Sequence, residues 1–194
     1  MNCTWPQSDE QMLQYHDEEW GTPVHDDKKH FEFLILDCFQ AGLSWKTILH
    51  RRHHFKKAFA NFDVKKVAKF DDSKTLELMQ NEGIIRNKLK ITGTIKNAKA
   101  FIEIQKEFGS FDAYIWQFVN NKTIINKHKA PNDIPANSKE SDAMSISLKK
   151  RGFTFVGSTI CYAYMQAAGM VNDHLITCKR YKKCIIITLK TKKS

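Results

Sequence analysis

Apolar and polar positions follow a helical period along most of the chain. Over residues 28–41, apolar side chains recur at helical spacing on one side and cover the other sides as well, which predicts a helix buried almost all round. Asp37 lies inside this apolar segment. Gly42 is predicted to end the helix, and Ser44 to cap a second helix whose inner side extends to Phe62.

The remaining helices are marked by their ends. Asp63 and Ser73 are candidate N-caps of two short helices. Further helices are predicted over residues 111–119, 141–151 and 158–168. Only residues 185–189 alternate in a way that suits a strand, and the chain has just four prolines. The predicted fold class is therefore all-α.

Residues 74–104 predict two helices joined by a short turn. The turn starts at Gly83, and the second helix starts near Asn87. Its apolar positions, at a period near 3.6, are Ile91, Ile95, Ala98 and Ile102. This pattern fits a helix-hairpin-helix, whose backbone amides can bind a phosphate, but spacing alone favours an ordinary corner between two helices.

Charge divides the chain into two parts. The 194 residues include 31 Lys and Arg against 21 Asp and Glu, a formal net charge of +10. Seven basic residues and no acidic one follow Cys178, so we predict one domain over 1–178 and a basic tail over 179–194. The tail fits an extra strand, a disordered arm or a frame artefact. Its charge, like that of the basic run 50–57, suits a nucleic acid, an anionic surface or solubility alone.

Composition also restricts the location. No apolar run is long enough to span a membrane, and the N-terminus lacks the features of a signal peptide. Five cysteines without a C-x-x-C pair favour reduced thiols over a disulfide framework. We therefore expect a soluble, cytoplasmic protein without membrane association.

Several enzyme classes lack their motifs. The segment from Gly152 to Ser158 imitates a phosphate-binding loop but has Ser where the Lys belongs. The sequence also lacks G-x-G-x-x-G, G-x-S-x-G and H-E-x-x-H. These absences argue against nucleotide-cofactor enzymes, serine hydrolases and zincins.

Histidine and cysteine suggest a metal site. His174 and Cys178 are spaced like half of a tetrahedral zinc site. Cys3 and His16 offer a matching pair at the other end of the chain, so a shared ion would join both termini in a closed, structural site. The alternative is that these side chains are simply packed or solvated.

Aromatic residues cluster in sequence near Asp37. Trp5, Tyr15, Trp20 and Trp45 could surround its carboxylate, an arrangement suited to a flat cationic heterocycle. The alternative is a set of core aromatics with a caged or salt-bridged Asp37.

Longer motifs resemble a known family. These motifs are Tyr15-His16-Asp17-x-x-Trp20-Gly21, Gln40-Ala-Gly-Leu-Ser-Trp45, Gly83-Ile-Ile-Arg86 and the stretch from Lys149 to Cys178. From Cys3 to Cys178 the chain resembles the 3-methyladenine DNA glycosylase I family. The resemblance implies an all-α fold of the helix-hairpin-helix glycosylase type. It also implies one structural zinc per chain, with Cys3, His16, His174 and Cys178 as ligands.

The resemblance also implies site residues. Tyr15 and Trp45 match positions that stack against and bind the damaged base, and Trp20 is expected to form a pocket wall. Asp37 stands where the family has Glu, one methylene longer, so we expect a retuned pocket. For DNA, Gly42 and Leu43 match the loop that enters the gap left by the flipped nucleotide, and the expected backbone contacts are Gly83, Arg86, Asn87 and Lys88.

The implied reaction is hydrolysis of the N-glycosidic bond of 3-methyladenine after the nucleotide leaves the duplex. Because the methylated base is cationic, it departs without protonation, so we expect an abasic site and no lyase activity. Asp37 is expected chiefly to recognise the base, with direct catalysis as a lesser role. The expected partner of this monomer is alkylated double-stranded DNA. The alternatives are a non-enzymatic or weakly active binder of alkylated DNA and a zinc-stapled interaction module.

Overall fold

Helices make up most of residues 3–191, the part of the chain that the computed structural model describes. They are α1 (Glu10–Glu18), α2 (Asp27–Gln40), α3 (Trp45–His50), α4 (Arg52–Ala58), α5 (Val64–Val67), α6 (Asp72–Gln80), α7 (Lys88–Phe108), α8 (Phe111–Ile115), α9 (Lys139–Lys150), α10 (Ser158–Ala167) and α11 (Lys179–Thr191). Short 3-10 segments occupy Ala60–Phe62, Trp116–Val119 and Pro131–Asp133. Strands β1 (Ile124–Ile125) and β2 (Val171–Asn172) pair in parallel. The mostly helical fold is thus confirmed.

Helix α2 lies at the centre of the core. It is buried on every side, as its apolar pattern predicts, and it contacts α3, α7, α8 and α10. Asp26 caps it by accepting the backbone N–H of Lys29 at 2.8 Å. Because α2 has no solvated face near its C-terminal end, Asp37 is enclosed in the core.

The segment after Ser44 is not one helix reaching Phe62. Ser44 does cap α3, with its hydroxyl accepting the N–H of Thr47 at 3.2 Å. The chain then breaks at Arg51, before α4, and again at residues 60–62, which all have positive φ. Positive φ is incompatible with a right-handed helix, so the predicted continuous helix is wrong.

The two predicted N-caps differ in outcome. Asp63 caps α5 by accepting the N–H of Lys66 at 3.1 Å, as predicted. The cap of α6 is Asp71, which accepts the N–H of Lys74 at 2.8 Å. The prediction of Ser73 is wrong, because this residue already lies in the first turn of α6.

Helices α6 and α7 pack against each other across a turn over residues 81–87. Asn87 caps α7 by accepting the N–H of Lys90 at 3.1 Å, at the predicted start of the second helix. Ile102 is only half-buried, whereas Phe101 and Ile104 are fully buried and complete the inner face.

The tail continues the helical pattern. Residues 185–189 belong to α11, so the predicted strand is wrong. The buried positions of this helix recur every four residues, at Arg180, Cys184 and Thr188. The domain division at Cys178 stays a prediction, and residues 192–194 lie outside the described residues. No described helix combines the length and apolarity that crossing a membrane requires.

Candidate functional site

A pocket of about 210 Å³ opens beside the C-terminal half of α2. It contains all four residues predicted to bind a base: Tyr15, Trp20, Asp37 and Trp45. The rest of its lining is Trp5, Gln40, Ile134, Ala163 and Gln166. The predicted grouping is therefore present in space, although the residues come from separate elements.

Aromatic rings form the walls of this pocket. The ring centroids of Tyr15 and Trp45 are 5.0 Å apart with planes inclined by 45°, and those of Trp5 and Trp20 are 5.2 Å apart at 70°. The indole N–H groups of Trp5 and Trp45 are enclosed and lack hydrogen-bond partners among the described residues. The walls thus offer apolar faces and unused donors to a planar ligand.

Asp37 is the acidic group of the pocket. It is 2% exposed, and its Oδ2 atom is enclosed without a hydrogen-bond partner in the described part of the chain. No ion pair to Asp37 is found there either, so the carboxyl is caged in the core and not salt-bridged. Burial raises the pKa of this carboxyl well above its ordinary value. A buried, unpaired carboxylate is unfavourable until a ligand supplies a donor or a positive charge.

The four predicted metal ligands also meet. The ligand atoms of Cys3, His16, His174 and Cys178 all lie within 4.8 Å of one another, and all four residues are buried. The His174 Nδ1 and His16 Nε2 atoms are 3.2 Å apart, and the Cys178 Sγ atom lies 3.6 Å from His16 Nε2 and 3.7 Å from His174 Nδ1. A tetrahedral zinc site requires about 3.3 Å between two nitrogens and about 3.6 Å between nitrogen and sulfur.

The hydrogen bonds around the cluster suit a metal ion. His16 Nδ1 lies 2.7 Å from the Asp17 carboxylate, and His174 Nε2 lies 3.0 Å from the Trp20 carbonyl. These contacts orient each ring and leave the other nitrogen free to bind a metal. Burial raises the pKa of the Cys3 thiol to about 12 and lowers the pKa of His174 to about 4. A cation would favour the deprotonated thiol, so the donor set fits a metal ion.

Gly21 connects the pocket to the cluster. Its φ is +75°, and a Cβ atom there would lie 3.0 Å from two ring atoms of His174. Its backbone N–H donates to the carbonyl of Gln166 at 3.0 Å. The adjacent Trp20 is therefore fixed between the Cys/His cluster and α10.

The predicted DNA-contacting residues lie outside the pocket lining. Gly42, at φ +79°, and Leu43, 40% exposed, form the turn between pocket residues Gln40 and Trp45. Arg86, Asn87 and Lys88 are exposed at the α6–α7 turn, and Gly83 is half-buried. A Cβ atom on Gly83 would lie 2.6 Å from the His54 ring, so only glycine fits there without displacing that ring.

Comparisons with known proteins agree with this architecture. A family model described as methyladenine glycosylase matches residues 5–181. The chain belongs to the methyladenine glycosylase family. It is 43% identical over 179 residues to DNA-3-methyladenine glycosylase 1 of Escherichia coli (strain K12), covering 92% of this chain and 96% of that protein.

Solved structures of 3-methyladenine DNA glycosylase I are also similar. One crystal structure superposes with a TM-score of 0.90 at 41% identity, covering 92% of this chain and 98% of the other. A tyrosine-to-phenylalanine variant in complex with 3-methyladenine superposes with a TM-score of 0.89 at 30% identity, covering 91% and 95%. The family fold thus extends over nearly the whole chain.

Four of the residues that line the pocket are not among the predicted site residues: Gln40, Ile134, Ala163 and Gln166. Gln40 lies three residues after Asp37, on the same helix face, so helical spacing could have identified it. Ala163 and Gln166 share that spacing on α10, but nothing in the sequence relates α10 to α2. Ile134 follows a 3-10 segment and carries no local signal.

The unpaired carboxylate lowers the stability of the ligand-free protein. Because the folded-state pKa of Asp37 is raised, stability falls as pH rises from the unfolded-state pKa toward the folded-state pKa. We expect Asp37→Asn to raise the melting temperature of the ligand-free protein at pH 7 by a few degrees, at ~2–4 °C per kcal/mol. The gain should vanish below about pH 4, where both states of the wild type are protonated. Thermal melting across pH measures this, and an equal or lower melting temperature of the variant at pH 7 would contradict it.

Proposed function

We propose that this protein is a DNA repair glycosylase that removes 3-methyladenine from alkylated double-stranded DNA. The observation that carries the proposal is the buried, partnerless Asp37 carboxylate in an aromatic pocket. Methylation at N3 makes adenine both flat and cationic. Aromatic faces attract such a ring by stacking and cation–π interaction, and a carboxylate accepts its N–H groups.

The charge of the base accounts for the chemistry. When the N-glycosidic bond breaks, the cationic base takes the bonding electrons and leaves neutral, so it needs no acid. Water attacks the oxocarbenium-like sugar, loses a proton to solvent and leaves an abasic site. Within residues 3–191 no lysine lines the pocket, in keeping with hydrolysis without a covalent intermediate. Asp37 binds the base, and its charge also favours the positive transition state.

Each wall of the pocket has a part in binding. Tyr15 and Trp45 face the base from the α1 and α3 side, with Trp20 and Trp5 closing the pocket beside the metal cluster. The side-chain amides of Gln40 and Gln166 offer hydrogen bonds to the edge of the ring. The Gln166 amide already donates to Asp173 at 2.8 Å, which orients its carbonyl oxygen.

Two surface features suit a DNA duplex. Leu43 is an exposed apolar side chain at a tight turn beside the pocket, so it can fill the gap left by the extruded nucleotide. The α6–α7 unit acts as a helix-hairpin-helix: Gly83, Arg86, Asn87 and Lys88 bind the phosphate backbone at the N-terminus of α7.

The Cys/His cluster holds one structural zinc ion. Two thiolates and two imidazoles suit zinc, and four protein ligands leave no position for water. Bound there, the ion supplies cross-linking of the N- and C-terminal segments. Cys3, His16, His174 and Cys178 are its ligands, and their burial beside Trp20 stabilises one wall of the pocket.

Excision tests the proposal directly. We expect Asp37→Asn to slow release of 3-methyladenine from methylated duplex DNA at least tenfold, about 1.4 kcal/mol, because the charge is lost while the shape is kept. Single-turnover assays with chromatographic detection of the free base measure this, and Asp37→Glu is the matched control that retains the charge. An unchanged rate in Asp37→Asn refutes the role of Asp37. Binding of alkylated DNA without base release by the wild type would favour the non-enzymatic alternative.

Metal content tests the cluster. We expect one zinc ion per chain in the wild type and its loss in Cys178→Ser, with a lower melting temperature, since a serine hydroxyl is a poor zinc ligand. Cys161→Ser is the control, because Cys161 is equally buried but lies outside the cluster. Elemental analysis that finds no zinc in the wild type, or the same amount in both variants, contradicts the assignment.

Salt dependence tests the DNA contacts. The logarithm of duplex affinity should fall linearly with the logarithm of salt concentration, and Lys88→Met should reduce the slope by about 0.9 if Lys88 contacts a phosphate. Lys122→Met, an exposed lysine far from the α6–α7 turn in sequence, is the control. Fluorescence anisotropy over a salt series gives the slopes. Equal slopes in Lys88→Met and the wild type would exclude this contact.

A further inference from the structure

Lys90 is a buried lysine outside the pocket. It lies in the first turn of α7 and is 7% exposed. Its Nζ atom donates to two backbone carbonyls, that of Phe39 at 2.7 Å and that of Ala41 at 2.6 Å. Burial lowers its pKa, and no carboxylate pairs with it among the described residues. Burying an ammonium group is costly unless it is hydrogen-bonded, so we infer that Lys90 fixes the position of these two carbonyls.

Those carbonyls belong to the C-terminal end of α2. The last carbonyls of a helix lack internal partners and carry the negative end of its dipole. Helix α2 has no basic residue in its last turn, so Lys90 supplies the missing cation from α7. It does so at the residues that lead directly into the Gly42–Leu43 turn.

This turn has few other constraints. The Leu43 N–H donates to the Gln40 carbonyl at 2.6 Å, but the Leu43 side chain is 40% exposed, and a Cβ atom on Gly42 would meet nothing within 4 Å. The turn is therefore fixed mainly at its two ends, by the end of α2 before it and by the Ser44 cap of α3 after it. Lys90 connects the backbone at the end of α2 to the first turn of α7.

We propose that Lys90 is a positioning residue that sets the Gly42–Leu43 turn relative to the α6–α7 hairpin, so that DNA bound at the hairpin meets Leu43 at the right height for insertion. This inference rests on the proposed function. It assigns Lys90 no contact with the base or with DNA: its ammonium group donates to two protein carbonyls, and it does not line the pocket.

Insertion can be measured without excision. A duplex carrying 2-aminopurine opposite an abasic-site analogue reports by fluorescence when a side chain enters the gap and unstacks the probe. We expect a large signal with the wild type and with Lys99→Met, which removes an exposed charge from the same helix. We expect at least a fivefold weaker signal at saturating protein with Lys90→Met, similar to that of Leu43→Ala. A wild-type signal from Lys90→Met overturns the proposal.

Two further measurements separate positioning from general damage. The affinity of Lys90→Met for free 3-methyladenine, measured by tryptophan fluorescence, should be within twofold of that of the wild type. Its rate of excision should fall at least tenfold on duplex alkylated DNA but stay within twofold of the wild-type rate on single-stranded alkylated DNA. An equal loss of excision rate on duplex and single-stranded DNA, or a loss of affinity for the free base, would show that Lys90 has a structural role only and would overturn the proposal. Inactive wild type with a normal insertion signal would instead refute the proposed function alone.

A double-mutant cycle supplies a check on the connection between the two residues. If Lys90 acts through Leu43, Lys90→Met should add less than twofold to the insertion loss of Leu43→Ala, whereas additive losses would show independent action and contradict the proposal. Should Lys90→Met not fold, Lys90→Gln keeps a donor at this position. The same losses of signal are then expected for Lys90→Gln, but smaller ones, and an insertion signal equal to that of the wild type overturns the proposal.

Discussion

A single carboxylate without a partner, enclosed in the most buried helix of the protein, is the constraint on which the site depends. Asp37 could not remain there unless the packing around α2 were favourable enough to offset the cost of burying it. That cost also provides selectivity. A cationic base supplies the positive charge that the carboxylate lacks as a partner and so offsets the cost of burial, whereas an ordinary neutral purine of the same shape does not. The aromatic walls suit any flat ring, so under the proposed function the acid decides which ring is bound well.

The sequence was sufficient for features that depend on local pattern. The all-round apolar period of α2, the Asn87 cap of α7 and the acid inside the core helix follow from spacing and side-chain chemistry. It was misleading for α11, because three consecutive isoleucines favour a strand while the buried positions are Arg180, Cys184 and Thr188, which a hydrophobicity pattern does not single out. The break at residues 60–62 was equally hidden, since none of these residues is a glycine and yet all have positive φ.

The composition of the pocket was predictable only in part. Tyr15, Trp20 and Trp45 were found because aromatic residues near an acid suggest a binding site and because their motifs resemble a family. Gln166 and Ile134 come from distant segments, and only the packing of α10 and the loop before α9 brings them to α2. The Cys/His cluster was also predictable from the sequence only in part. Spacing identified His174 with Cys178, but the distance between the chain ends is set by tertiary structure alone.

The pocket, the Cys/His cluster and the α6–α7 turn are connected by short covalent and hydrogen-bonded paths. His16 follows the pocket residue Tyr15 directly, and the Trp20 carbonyl accepts from His174 of the cluster. On the opposite side, Lys90 joins the start of α7 to the end of the helix that carries Asp37. A protein that must bind the backbone, extrude a nucleotide and recognise its base needs these parts at fixed separations, since an error of about 1 Å at the reacting group can cost ~100-fold in rate. The resemblance places the longer Glu at position 37. If Asp37 binds the base as proposed, a shift of the base toward α2 or a bridging water is therefore required, because the walls leave the acid little freedom to move.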